Sequence, residues 1–399
     1  MRIAFILIGN SRRSGYLDGE TLRYGGAGGS GTDTSTILVA EQLAAAGHEV
    51  VVTSDKLEPP LEAKYAEAGQ HFNSGRIVNG VQYCDIEFNG VENKAFDVLV
   101  SSLWFQGYDK LPITVSKAVI YWCHMQWIYG IGELISYAKA HNLQLGFVHI
   151  SEWEKSMNAD VVKTAAVQHA VQTALIPNPE PDDVIAKVLA ENIVRKPHKF
   201  IFHAAWPRGG DVAVEVVRRL PYADKELHAF DYLMVIHGHD DAFFNMHNGV
   251  DKLTLYRHIA ESEYFVYPLY TPYQDVHKDT FSCVVADAIA LGCTPVTYPL
   301  GALPENFEGY CQWVSFPTGA DQATMQAESL SKDLDWKFKG EEAVNNLVHA
   351  VEYLEHNPAL KDKIKAKGAQ FIVDKCGAEK VGRMWRDFIA QITAETPAS

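Results

Sequence analysis

The chain has 399 residues, which is too long for one ordinary hydrophobic core and about right for two domains. Apolar residues make up 47% and charged residues 21%, a composition that excludes a disordered or collagen-like protein. Because 35 Lys and Arg stand against 50 Asp and Glu, the formal net charge is −15. Such a surface repels phosphate backbones and anionic lipid, so we expect no nucleic-acid partner and no general membrane-surface partner.

Further patterns limit the cellular setting. The apolar runs 3–8 and 265–269 are much shorter than the ~20 residues that cross a bilayer, so we expect no integral membrane segment. The first run ends at Gly9 and is followed by polar and basic residues, unlike a signal peptide. The six cysteines form no CxxC pair, which favours reduced thiols over a zinc site or disulfides. We therefore expect a cytoplasmic protein.

In the first half of the chain, short apolar strands alternate with helical patterns. The helical rhythm of residues 34–46 ends at Gly47, a natural C-cap. Strands are predicted at 2–8, 49–53, 97–101, 118–122 and 145–150. This alternation predicts a mostly parallel sheet with helices on both faces.

A proline-rich segment, residues 176–183, is the best candidate for a hinge, because its prolines exclude a helix or a central strand. After it the alternation begins again. Strands are predicted at 199–203, 232–237, 264–268 and 294–298, and helices at 212–220, 253–260, 280–291, 340–355, 359–373 and 378–392.

The predicted fold class is therefore α/β, with two Rossmann-like domains that face a central cleft. We place an N-terminal domain at 1–180 and a second domain at 181–377. Residues 378–399 would form a C-terminal helix able to cross back to the first domain. Ligands of open parallel sheets bind beyond the carboxyl ends of the strands, so we expect the site in the cleft.

A glycine-rich stretch, residues 25–31, precedes the first helix and contains Gly28 and Gly29. Such a turn lets the backbone approach a phosphate closely. It also contains a formal GxGxxG, and Asp55 follows the second strand as a nicotinamide-cofactor site requires. That fingerprint should follow its strand directly, whereas here residues 10–24 intervene. Besides a phosphate-binding turn and a dinucleotide-binding site, a loop that binds no ligand is the third interpretation of residues 25–31.

An acidic segment precedes a predicted helix in the second half. Asp279 is a suitable N-cap for helix 280–291, and Asp287 lies further along the same helix. The helix N-terminus would offer amides to an anion, while the two carboxylates would meet a sugar and a ribose of one bound molecule. The alternative is one capping and one solvated Asp. The amides concerned are those of Thr280, Phe281 and Ser282.

Two more residues lie at strand ends. Arg208, in a glycine-rich turn between strand and helix, can pair bidentately with a diphosphate, or is an ordinary surface arginine. His124 can bond a hydroxyl where its strand opens, or is a satisfied core or rim histidine. No HExxH or other metal-ligand spacing occurs, and the Asp240-Asp241 pair is typical of a solvated loop, so no metal is expected.

In this order, these segments resemble the family-4 glycosyltransferases of the GT-B fold. Both acidic positions are Asp where that family has Glu, so the donor sugar or its distance can differ. The motifs that carry the resemblance are Gly28-Gly29 followed by Gly47-His48-Glu49-Val50, His124, Ser151-Glu152-Trp153, Ile176-Pro177-Asn178, Arg208-Gly209, Asp279-x7-Asp287, Gly292-Cys293-Thr294-Pro295-Val296 and Gly301-Ala302-Leu303-Pro304-Glu305.

The resemblance implies a retaining transferase that moves a sugar from a nucleotide-diphosphate sugar to an acceptor hydroxyl, without a metal or other cofactor. It implies that Asp279 holds the transferred sugar and Asp287 the ribose. Arg208, the Gly28-Gly29 turn and the amides of residues 280–282 would stabilise the leaving diphosphate, and His124 would bond the sugar or bridge to the acceptor. A nucleotide-sugar epimerase and a non-catalytic nucleotide-sugar-binding protein of the same fold are the alternatives.

Overall fold

The computed structural model describes residues 1–7, 18–25, 29–54, 75–102, 107–128, 130–231, 238–269, 278–317 and 336–394. This part of the chain forms two compact units. The N-terminal unit contains the described residues up to Pro181 together with the chain from Cys376 onward, and the second unit contains Asp182–Lys375. The boundary at Pro181 falls inside the proline-rich segment.

The N-terminal unit alternates strands and helices. Its elements are β1 (Arg2–Leu7), α1 (Gly19–Tyr24), α2 (Gly31–Ala45), β2 (Glu49–Ser54), β3 (Arg76–Val78), β4 (Val81–Asp85), β5 (Ala95–Ser101), β6 (Thr114–Cys123), α3 (Ile131–Ala140), β7 (Gln144–His149), α4 (Glu152–Met157), α5 (Ala159–Gln168) and β8 (Val171–Leu175). Its sheet has the order β3-β4-β2-β1-β5-β6-β7-β8, and only β3 and β4 pair antiparallel. The order reverses between β1 and β5, which pair from Ile3↔Val98 onward.

The second unit repeats this architecture. Its elements are α6 (Asp182–Ala190), β9 (Lys196–Phe202), α7 (Gly210–Arg219), β10 (Glu226–Asp231), β11 (Phe244–Asn248), α8 (Lys252–Glu261), β12 (Ser262–Tyr267), α9 (Cys283–Ala290), β13 (Thr294–Thr297), α10 (Leu303–Phe307), β14 (Gln312–Trp313), α11 (Trp336–His356), α12 (Pro358–Lys365) and α13 (Gly368–Cys376). Its six strands are all parallel, in the order β11-β10-β9-β12-β13-β14. Here the order reverses between β9 and β12.

Both sheets are buried because their central strands are almost continuous apolar runs, as parallel sheets covered on two faces require. In β1 the residues from Ile3 to Leu7 are all buried, and in β12 every residue is buried. The predicted α/β class with two Rossmann-like parallel-sheet domains is therefore confirmed.

The last helix, α14 (Ala378–Ala394), packs in the N-terminal unit. Its Trp385 is fully buried, with its ring 4.7 Å from that of Trp122 and 6.2 Å from that of Phe5. Ile392 of the same helix lies against Gly146 of β7, where an added Cβ would come within 2.8 Å of the Ile392 side chain. The C-terminal helix thus completes the core of the unit in which the chain begins.

The structure departs from the predicted elements in several places. Helix 359–373 is two helices, because Lys367 adopts a left-handed conformation (φ 62°) between α12 and α13. Strands β3, β4, β8, β10, β11 and β14 were not predicted, and the predicted strand 232–237 lies outside the described residues. All six cysteines are buried. In the described part of the chain, no helix has the length and apolar character needed to span a membrane.

Candidate functional site

The carboxyl ends of β9 and β12 bring together a cation, a phenol and a carboxylate. Arg208 ends a short 3-10 turn (Trp206–Arg208) after β9, and Tyr267 is the last residue of β12. Arg208 Nη1 donates to Asp279 Oδ1 at 2.5 Å and to the Tyr267 hydroxyl at 3.0 Å, and that hydroxyl donates to Asp279 Oδ2 at 2.8 Å. We call these three residues the triad. It lies where the strand order reverses, the place where open α/β sheets bind ligands.

The side chains of the triad differ in how far they are buried. The Asp279 side chain is 8% exposed, whereas that of Arg208 is 34% exposed. Burial raises the pKa of Tyr267 far above its ordinary value, so its hydroxyl keeps its proton and donates to the carboxylate. The partly exposed Arg208 side chain can therefore meet an anion while its Nη1 stays bonded to Asp279 and Tyr267.

Two glycines with left-handed backbones hold the triad in position. Gly209 has φ +114°, and a Cβ added there would lie 2.9 Å from the Pro268 ring, directly after β12. Gly301 has φ +61°, and its Cβ would lie 2.4 Å from the carbonyl oxygen of Asp279. Both close approaches require a residue without a side chain. These glycines therefore fix the backbones that carry Arg208 and Asp279.

The helix after Asp279 begins later than the sequence predicts. α9 starts at Cys283, and its N-cap residue Ser282 has φ 73° and ψ 76°. The predicted helix 280–291 is therefore too long, and the assignment of Asp279 as its N-cap is wrong because that carboxylate is held by the triad. Asp279 and Asp287 consequently do not share one helix. Thr280, Phe281 and Ser282 form the non-helical segment between Asp279 and α9.

The N-terminus of α9 presents a buried hydroxyl. Ser282 Oγ has no hydrogen-bond partner among the described residues. His203, directly after β9, donates from Nε2 to the carbonyl oxygen of Val284 at 2.9 Å and so holds the first turn of α9. Burial lowers the pKa of His203 to about 4, which keeps the ring neutral at pH 7. The Phe281 ring packs 5.9 Å from that of Phe307, so this residue offers its backbone rather than its side chain.

Asp287 is held by a second pair of side chains. It lies on α9, is 1% exposed, and accepts hydrogen bonds from Lys252 Nζ at 2.9 Å and from the Tyr256 hydroxyl. Both partners belong to α8. The predicted contact between Asp287 and a ribose stays a prediction, and a ligand there would meet a carboxylate that is already bonded to a cation of the chain.

Two predicted residues belong to the N-terminal unit. His124 follows β6, is 8% exposed, and its ring lies 4.4 Å from that of Trp122. Burial lowers the pKa of His124 to about 3. The ring is therefore neutral at pH 7 and can donate or accept a hydrogen bond, but it cannot act as a cation. Gly29 precedes α2, whose N-cap Ser30 forms a capping box with Asp33. Gly28 lies outside the described residues.

Sequence reasoning missed four residues of the site: Tyr267, His203, Lys252 and Tyr256. The first two lie at the ends of β9 and β12, and their position at strand ends was a usable signal. Lys252 and Tyr256 lie four residues apart, on the face of α8 directed at Asp287, but the sequence does not say which helix packs against which. Only the structure identifies Lys252 and Tyr256 as partners of Asp287.

The comparisons with known proteins agree on the fold. No protein-family model matches the sequence, and no curated protein matches it significantly. Among solved structures, sucrose-phosphate synthase from Thermosynechococcus elongatus has a TM-score of 0.63 at 13% identity, covering 98% of this chain and 99% of that one.

Two sugar-nucleotide complexes are also similar. The pneumococcal O-GlcNAc transferase GtfA in complex with UDP and GlcNAc has a TM-score of 0.60 at 10% identity and covers 99% of both chains. HepE of Anabaena in complex with UDP-glucose has a TM-score of 0.58 at 10% identity, covering 98% of this chain and 100% of that one. With its two parallel-sheet α/β units matching these glycosyltransferases over nearly their whole length, the chain has the GT-B fold.

Proposed function

We propose that this protein transfers a glycosyl group from a nucleotide-diphosphate sugar to an acceptor hydroxyl, with retention of the anomeric configuration and without a metal. The observation that carries the proposal is the triad at the point of strand reversal in the second unit, on a fold whose solved examples include UDP-sugar complexes. A partly exposed arginine next to a buried carboxylate suits a ligand that carries both phosphates and hydroxyls.

Glycosyl transfer requires stabilisation of the charge on the leaving group more than it requires a strong nucleophile. The anomeric C–O bond breaks through an oxocarbenium-like transition state while negative charge develops on the leaving diphosphate. Arg208 and the amides before α9 would stabilise that charge, and each such contact supplies roughly 2.7–4 kcal/mol of barrier reduction. The Ser282 hydroxyl is a further donor at the same helix end.

The carboxylates would then position the donor. Asp279 would accept hydrogen bonds from hydroxyls of the transferred sugar, and Asp287 would bond the ribose. His124 would bond the sugar, and Gly28 and Gly29 would approach the diphosphate. A neutral His124 suits a hydrogen bond to a hydroxyl.

Metal independence is supported by how the carboxylates are bonded. A metal-dependent transferase needs carboxylates that face one ion together. Asp279 is bonded to Arg208, and Asp287 to Lys252, so each of the two is neutralised by a cation of the chain itself. The positive charge that the diphosphate needs would come from Arg208 and backbone amides.

A ligand screen tests the proposal. Nucleoside diphosphates and nucleotide-diphosphate sugars are added to the full chain and the melting temperature is measured; a ligand at ~100 times its Kd stabilises the fold by about 2.7 kcal/mol. The stabilising donor is then incubated with candidate acceptors, and the anomeric proton of the product is followed by NMR. We expect transfer with an unchanged anomeric configuration.

Other outcomes separate the alternatives. Isomerised donor in the absence of any acceptor would indicate an epimerase, and binding with neither transfer nor slow donor hydrolysis would indicate a binding protein. If no nucleotide raises the melting temperature, the proposal is wrong. A cytoplasmic location and the absence of a nucleic-acid partner stay predictions from composition.

A further inference from the structure

Three histidines of the second unit gather on one face of its sheet, under α8. His228 lies on β10, His247 on β11 and His258 on α8. In the β10–β11 register His247 is opposite Phe230, two residues beyond His228, so both histidines point to the same face. None of the three belongs to the site described above.

The rings form a nearly equilateral cluster. Their centroids are 5.1 Å apart for His228 and His247, 5.3 Å for His228 and His258, and 4.9 Å for His247 and His258. His228 Nδ1 lies 2.9 Å from His247 Nε2, and one nitrogen from each ring lies within 4.8 Å of the other two. Zinc–nitrogen bonds of ~2.0–2.1 Å place ligand atoms about 3.4 Å apart, which lies between the 2.9 Å and 4.8 Å of this cluster. The stacked rings of His228 and His247 have to rotate for their nitrogens to face one ion.

The surroundings of the cluster suit a cation. The Nε2 of His228 donates to Glu226 at 3.2 Å, which orients the ring and makes Nδ1 the acceptor of the 2.9 Å hydrogen bond from His247 Nε2. A bound ion would replace the proton of that hydrogen bond. The Nδ1 of His258 is buried and has no hydrogen-bond partner among the described residues. Lys199, a cation whose charge acts on all three rings, is paired with Glu261 at 2.5 Å.

We propose that His228, His247 and His258 bind a divalent transition-metal ion, zinc in the first instance, as a structural site that ties β10, β11 and α8 together. Imidazole nitrogen is a preferred ligand of Zn²⁺, Co²⁺, Ni²⁺ and Cu²⁺. With three protein ligands, water would complete the four-coordinate shell, and all three histidines are only partly buried.

Imidazole binds a metal ion in its neutral form, so metal binding and protonation of the three rings exclude each other. The site is separate from the donor carboxylates, but α8 also carries Lys252 and Tyr256, which bond Asp287, so an ion on His258 would fix that helix.

A second cluster with ligand atoms, Cys123 with His149 and Glu154, is a weaker candidate. It is fully buried, and Glu154 already accepts bonds from His149 at 3.0 Å, from Asn158 at 2.6 Å and from the Ile150 amide at 3.4 Å. Its groups satisfy one another, so it is explained as a structural hydrogen-bond network.

The test is metal binding by the full chain, which needs no substrate and no activity. Protein freed of metal by chelating resin is titrated with Co²⁺ and then Zn²⁺, following the cobalt d–d absorption and the heat of binding. We expect one equivalent to bind, with a tetrahedral cobalt spectrum that lacks a thiolate charge-transfer band, and the melting temperature to rise.

Variants locate the ion. His258→Gln and His247→Phe, the latter keeping the ring that packs 4.5 Å from Phe230, should lose the cobalt spectrum. Glu226→Gln should weaken affinity by about 10–100-fold, because it removes only the group that orients His228. The matched control is His349→Gln, whose side chain is 75% exposed and far along the chain, and it should bind like the parent protein.

Several results would overturn the assignment. A thiolate band that disappears in Cys123→Ser would place the ion at the other cluster. Absence of stoichiometric binding by the parent protein, or equal binding by His258→Gln and His247→Phe, would show that the three rings are only aromatic packing. None of these results bears on the proposed transferase activity, which the donor screen tests by itself.

Discussion

The guanidinium of Arg208 and the carboxylate of Asp279 are joined by a 2.5 Å hydrogen bond although 71 residues separate them in the chain. The bond joins the loop after β9 to the loop after β12. It leaves the proposed diphosphate-binding cation oriented before any ligand arrives, and such preorganisation lowers the cost of binding.

Replacing Arg208 with Ala should remove most transfer activity while the protein stays folded. Loss of one preorganised charge contact costs roughly 10²–10³ in kcat. The partly exposed pair limits the loss of stability to about 1–3 kcal/mol. Steady-state kinetics at saturating donor and a urea titration measure the two effects, with Arg218→Ala, which removes an exposed ion pair with Asp241, as the control. Undiminished turnover in Arg208→Ala would remove this residue from the mechanism.

The Tyr267 hydroxyl should matter for donor use and not only for stability. Tyr267→Phe takes from Asp279 a hydrogen bond to a charged group, worth about 1.5–3 kcal/mol, or ~10–100-fold in kcat/KM. Tyr264→Phe is the matched control, since it lies on the same strand and its hydroxyl bonds Glu355 instead. If both variants lose stability but keep the parental kcat/KM, Tyr267 is only structural.

Gly301→Ala should displace Asp279, because the new Cβ would lie 2.4 Å from its carbonyl oxygen. Gly309→Ala pays the same left-handed backbone cost, about 1–2 kcal/mol, but nothing lies within 4 Å of its added Cβ. We expect Gly301→Ala to lose more stability and to raise the Kd of the donor, measured by urea unfolding and by calorimetry. Equal behaviour of the two variants would contradict the proposed role of the close approach.

Transfer should continue in the presence of EDTA, since the proposal assigns the diphosphate charge to Arg208 and amides. Initial rates are compared with and without chelator, well below the melting temperature, in the parent protein and in His258→Gln. Using that variant separates a structural metal from a catalytic one. Loss of activity in both proteins, restored by Mn²⁺, would favour a carboxylate-bound metal at the donor.

Stability should fall as the pH drops from 6.5 to 4, and His203 should carry part of the loss. Its pKa of about 4 in the folded protein lies below the ordinary value of 6.5, so in this range the unfolded chain binds a proton that the folded chain does not. At 1.36 kcal/mol per pKa unit the cost approaches about 3 kcal/mol at pH 4 and vanishes above pH 6.5. Urea titrations at pH 7 and 5 should show a weaker pH dependence for His203→Gln than for His349→Gln.

Much of the fold could be predicted because buried parallel strands are conspicuous apolar runs: the strands around Ile3, Val98 and Tyr264 begin within a few residues of their predicted positions. Strands β3, β10 and β11 escaped prediction because they carry mixed or polar residues, such as the histidines of β10 and β11. Their conformation depends on the neighbouring strand rather than on local composition.

Residue type and position at a strand end were enough to predict individual residues of the site, but not the contacts between them. Arg208 and Asp279 were both named, yet their contact was not, since Asp279 resembled an N-cap. The left-handed conformation of Ser282 makes the helix begin at Cys283 instead, and no rule of helix propensity predicts that conformation for a serine. The histidine cluster was missed because its members are 19 and 11 residues apart on three elements.

The packing of α14 against β1 and β6 has a consequence for synthesis. During translation Phe5 and Trp122 emerge long before Trp385, so the core of the N-terminal unit stays incomplete until α14 has left the ribosome. Residues Asp182–Lys375 of the second unit are continuous in sequence, so they can fold before α14 is synthesised. Chaperone dependence should therefore concentrate on nascent chains that lack α14.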